Sequence, residues 1–147
     1  MATFTKVNDF VEHLSEGVHN LGTGQLIVAL SNTAPGSETS NPLSDGNGVL
    51  ANVTQISYTN LSSRNITTTS SSQTAGVYSL VLADLVLTAG VGGLATFRYV
   101  YIYNDDPTSP ADPLIGMYDY GAGGVTLNQD ETFTIDFTEA QTLIDIT

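Results

Sequence analysis

In the first seventeen residues, Phe4, Val7, Phe10, Val11 and Leu14 recur at spacings of three and four, the interval that lines one face of an α-helix. Asp9, Glu12 and Glu16 fall off that stripe, and Gly17 is suited to the left-handed turn that ends many helices. The pattern predicts one short amphipathic helix or arm within residues 1–17. Its apolar stripe needs cover, either from the rest of the chain or from a neighbouring subunit.

Beyond Gly17 the period changes to two. QLIVAL predicts a buried strand from Leu26 to Leu30, and Ser31 to Gly48, with two prolines and three glycines, predicts a long surface loop. VTQISY, SRNITTTSS and VYSLVLADLVLTA predict further strands, the last bending or bulging at Asp84. The run TTTSSSQTAG, Thr67 to Gly76, reads as a solvated strand edge followed by a turn. FRYVYIYN and DPLIGMYDYG predict a hairpin across NDDPTSPAD, and TFTIDFT and TLIDIT supply the closing strands. About eight short strands separated by turn signals imply a mainly β chain, an antiparallel β-sandwich or jelly-roll-like single domain over residues 1–147, with one short N-terminal amphipathic helix.

One strand breaks the expected alternation. An extended FRYVYIYN places Phe97, Tyr99, Tyr101 and Tyr103 on one side and Arg98, Val100 and Ile102 on the other. A strand apolar on both faces needs two covering layers. One face should meet the facing sheet, and the other the helix or another copy of the protein. Tyr118 and Tyr120 bring half of the twelve aromatic residues into this one hairpin. Tyrosine pairs a large apolar body with a hydroxyl that needs a partner. The row therefore suits a sandwich core, a subunit interface or a platform for sugar rings. Together with the N-terminal stripe it forms the candidate surface for subunit or partner contacts.

Charge narrows the partners. Lys6, Arg64 and Arg98 stand against fifteen acidic residues, for a formal net charge of −12. Nucleic acid and anionic membranes attract cationic side chains, so the sequence predicts neither as a partner. There is no cysteine, hence no disulfide and no thiolate metal site. The N-terminus lacks an apolar run suited to a secretory signal, and no stretch approaches the roughly 20 apolar residues of a membrane span, which predicts a soluble product.

Candidate chemistry is sparse. His13 and His19 are six residues apart across a helix end, not the i, i+4 spacing of a helical zinc pair, and a surface or capping role is expected for both. Asp105, Asp106 and Asp112 crowd one loop and Asp45 and Asn47 another, but neither set follows the EF-hand order, and Asp is an ordinary turn former. Phosphate-cradling and nucleophile-elbow motifs are missing. Three Asn-x-Ser/Thr triplets, at Asn52, Asn60 and Asn65, are chance matches in a chain this rich in Ser and Thr. The expectation is a protein that is not an enzyme, with no cofactor, no metal and no catalytic residue.

HNLGTGQLIVALSNTAP, SSSQTAGVYSLVLADLVLTA, FRYVYIYND, DPLIGMYDYG and LNQDETFTIDF, taken in order, resemble a family of small proteins encoded by tailed bacteriophages among their virion structural genes. The ending TEAQTLIDIT departs from the Gly-containing ending of that family. The resemblance implies a capsid cement or decoration protein. Such a protein would be a β-rich homo-oligomer, typically a homotrimer, bound to the major capsid protein on the outer capsid surface of the virion after synthesis in the host cytoplasm. A tail or fibre component that binds a receptor or glycan is the alternative.

Overall fold

The computed structural model describes residues 2–137 and the backbone of 144–146. In chain order the elements are β1 (Thr3–Lys6), α1 (Asp9–Ser15), β2 (Leu26–Ser31), β3 (Thr68–Thr74), β4 (Val77–Leu82), β5 (Leu85–Thr88), β6 (Leu94–Phe97), β7 (Tyr99–Asn104), β8 (Leu114–Asp119), β9 (Val125–Leu127), β10 (Thr132–Ile135) and β11 (Ile144–Ile146). The fold is mainly β and sandwich-like, as the periodicity predicts. A four-stranded antiparallel sheet runs β1-β8-β7-β2, and smaller antiparallel sheets run β11-β4-β3, β10-β5 and β6-β9.

The strand with two apolar faces lies inside the four-stranded sheet, and every residue of β7 is buried. Val100 and Ile102 join Leu26, Val28 and Leu30 of β2 in the larger core, which also takes Leu80 and Leu82 of β4, Leu87 of β5 and Ile135 of β10. Tyr99, Tyr101 and Tyr103 point to a second core with Ile27, Ala29, Leu114 and Met117. The second cover differs from the expected one. The long loop lies over this face through Ala34 and Leu43, and Leu50 and Val53, just beyond it, complete the layer. What reads in sequence as a free surface loop is the lid of the tyrosine layer. It is anchored by the Leu114 N–H to the Gly48 carbonyl at 2.8 Å and by the Leu50 N–H to the Asp112 carbonyl at 3.0 Å.

Two local breaks shift the period of this hairpin. The chain leaves the ladder at Arg98, between β6 and β7, so Phe97 falls in the larger core beside Val100 and not with the tyrosines as simple alternation implies. In β8 the register shifts at Ile102/Tyr103: Ile115 and Gly116 together oppose Ile102, a bulge that returns Leu114 to the tyrosine side and Ile115 to the other. Gly116 leaves room here for the ring of Phe4, which a Cβ at this position would overlap.

The N-terminal stripe divides between two elements. Thr3–Lys6 alternates as a strand should and pairs antiparallel with β8, so helix begins only at Asp9. Phe4 and Leu14 pack on the larger core and Phe10 is buried in it, Val7 is buried in the second, and Val11 is 49% exposed. Further differences follow from tertiary hydrogen bonding. VTQISY is extended coil with no strand, its Ile56 N–H reaching the Leu30 carbonyl on the outer edge of β2. SRNITTTSS becomes regular strand only from Thr68. The expected break at Asp84 separates β4 from β5, where the Asp84 carboxylate accepts the Phe137 N–H at 3.0 Å. Of the closing segments, TFTIDFT forms β10, its Thr138 lying outside the described residues. TLIDIT contributes β11, which pairs with β4, while its residues 142, 143 and 147 lie outside them.

Candidate functional site

The helix ends as Gly17 allows. Gly17 adopts φ +76°, its N–H meets the Leu14 carbonyl at 3.2 Å, and the Val18 N–H meets the His13 carbonyl at 2.8 Å. This paired closure reverses the chain. It brings His19 back onto the helix, with its ring centre 5.9 Å from that of His13 and 5.1 Å from that of Phe10. The surface or capping role expected for both histidines therefore fails for His19, which is only 6% exposed. Sequence spacing missed this contact because a left-handed glycine, and not helical periodicity, makes it.

Neither ring nitrogen of His19 has a hydrogen-bond partner, and the buried Nδ1 of His13 has none either. Burial, with a smaller contribution from His13, pushes the His19 imidazole down to about 4, so it is neutral across the physiological range. His19 also lines an open cleft of about 540 Å³ with Leu14, Asn20, Leu21, Ser71 and Tyr78. Ser71 and Tyr78 share a hydrogen bond of 2.9 Å across β3 and β4. The side-chain amide oxygen of Asn20 accepts from the N–H groups of Gly22 and Thr23.

The acidic loops hold backbone in place. The Asp106 carboxylate accepts the Gln25 N–H at 3.4 Å, the Asp105 N–H donates to the Gln25 carbonyl at 3.0 Å, and Asp112 turns the chain at φ +50°. Burial, then the charge of Asp105, raises the Asp112 carboxyl above its usual range. Asp45 accepts a 3.0 Å bond from the Asn8 side chain. Among the described residues no three metal-capable side chains gather in one group.

Most of the expected contact surface is interior. Val7, Phe10, Phe97, Tyr99, Tyr101, Tyr103 and Tyr118 are buried, Phe4, Leu14 and Tyr120 are partly covered, and Val11 alone of the set is exposed. A row of tyrosines stacked on sugar is therefore not available at Tyr99–Tyr103. Burial first, then neighbouring acidic or phenolic groups, raises the hydroxyls of Tyr118 and Tyr120 to about 12, and the same causes raise that of Tyr101.

Both arginines are engaged within the chain. Arg98 holds Asp119 through two 2.7 Å bonds, which keep that carboxyl below its usual range. Arg64 donates to the Val28 carbonyl and lies 3.8 Å above the Tyr58 ring. No described helix is long and apolar enough to cross a membrane. No protein-family model, no curated protein and no solved structure matches this chain.

Proposed function

We propose that this chain is a non-enzymatic structural protein of a tailed-phage virion, a cement or decoration protein bound to the outer face of the capsid. The phage assignment rests on the five segments that resemble virion structural proteins. The observation that carries the outside placement is electrostatic: the net charge is −12, and both arginines are spent on internal contacts. Against packaged DNA such a surface would set like charge on like, with Lys6 the one remaining cation. On the outer face its carboxylates meet solvent and hold particles apart. The protomer also buries both faces of its central sheet within itself, which suits a protein added, folded, to a finished shell. Its partner in this reading is the major capsid protein, and it acts as a homo-oligomer, a homotrimer where the lattice supplies threefold positions.

Particles prepared with and without the protein test the proposal. A cement protein is present in numbers comparable to the capsid subunit, is reached by external antibody, and raises the temperature at which DNA is released, because it binds only the assembled state. A few copies per particle with unchanged DNA retention would transfer the role to a tail or fibre component. Concealment from antibody would overturn the outside placement.

A further inference from the structure

Buried polar atoms without partners are uncommon in folded proteins, and each asks for a water, an ion or a ligand. Here three such nitrogens belong to two rings in contact, His13 and His19, and His19 opens onto a cleft. From these observations we infer that His13 and His19 form a two-histidine site for a divalent transition cation of the Zn²⁺ type, with water completing the coordination. The inference is independent of the virion reading.

The chemistry favours this occupant. Neutral imidazole is a preferred ligand of zinc, copper and nickel, and a poor one for calcium or magnesium, which select oxygen. A metal with nitrogens at about 2.0–2.1 Å holds two imidazole centres roughly 5–6 Å apart at tetrahedral and wider angles. The 5.9 Å separation of His13 and His19 lies in that range. Phe10 packs against His19 with ring centres 5.1 Å apart and so fixes one side of that imidazole. The acidic chain, with Glu12 and Glu16 beside His13 in sequence, favours a cation over an anion. Two histidines fall short of the three or four protein ligands of resident zinc sites, so a cation held here would be exchangeable.

The full chain, expressed without a polyhistidine tag, is titrated with Zn²⁺ by calorimetry at neutral pH in excess Mg²⁺, which occupies carboxylate sites. Co²⁺ is added in parallel, because four-coordinate ligation intensifies and shifts its weak visible absorption. One Zn²⁺ should bind per chain. His13→Gln and His19→Gln should each weaken binding at least about tenfold, no less than the loss of an outer-shell partner does at known sites. Both variants are melted first. If His19→Gln unfolds, His13→Gln carries the test, since His13 is only half-buried. Absence of Zn²⁺ binding by the parent chain, or binding unchanged in a variant shown to be folded, would overturn the inference.

Discussion

The Gly48 N–H donates to Oδ2 of Asp9 at 2.8 Å, and Oδ1 of the same carboxylate accepts the Gly46 N–H at 2.8 Å. Asp9, at the start of the helix, thereby pins the end of the loop that covers the tyrosine layer. The carboxylate is 6% exposed, and two backbone donors satisfy it in place of a basic partner. Asp9→Ala leaves those N–H groups unpaired, and should lower stability by about 1–3 kcal/mol in denaturant unfolding. Amide exchange should accelerate across residues 44–50 before it does in β7. Uniform acceleration would show that the loop and core open together. Gly48→Ala should be at least as damaging, since its Cβ would sit 2.9 Å from Asp9 and Val7 atoms.

Tyr101 is fully buried, and its hydroxyl has no hydrogen-bond partner. Tyr101→Phe removes a polar atom that gains nothing from burial, so stability should stay within about 0.5 kcal/mol of the parent or rise. Tyr101→Ala should cost about 3–5 kcal/mol through the cavity it leaves. A large loss in Tyr101→Phe would mean that a buried water serves the hydroxyl.

Gly17→Ala isolates the cost of the left-handed turn, because nothing lies within 4 Å of the Cβ it would add. At φ +76° the substitution should cost about 1 kcal/mol. The magnitude is read from the shift in denaturation midpoint at unchanged slope.

Acid should destabilise the fold through His19. Its basicity is lowered to about 4 in the folded chain, against 6.5 for the free side chain, so the unfolded state binds the proton more tightly. The stability this represents is fully present above pH 6.5 and is lost as pH falls towards 4. Water reaching the open cleft screens the effect to on the order of 1–2 kcal/mol. In chelator-treated protein, His19→Gln should flatten that part of the stability–pH curve. A curve unchanged in shape would place the acid response in other groups.

The period-two runs were enough to determine a mainly β chain, the hairpin that carries β7 and β8, and the demand that β7 be covered twice. Alternation of side chains across a strand is a local property of the backbone, legible wherever it is unbroken. The polar edge at Thr68–Thr74 and the stop at Gly17 were legible for the same reason, since composition and left-handed turns act within a few residues. What covers β7 was decided only in three dimensions. Asp9 and Gly48 are thirty-nine residues apart, and no local pattern records that one carboxylate holds down the other's loop. The slip at Arg98 and the bulge at Ile115 likewise depend on neighbouring strands, and they moved Phe97 out of the row that alternation assigns it. His13 and His19 met because one glycine reversed the chain, a contact that helical spacing argues against. Periodicity reports how a segment presents its own faces; the partner for each face is chosen by packing among segments far apart in sequence.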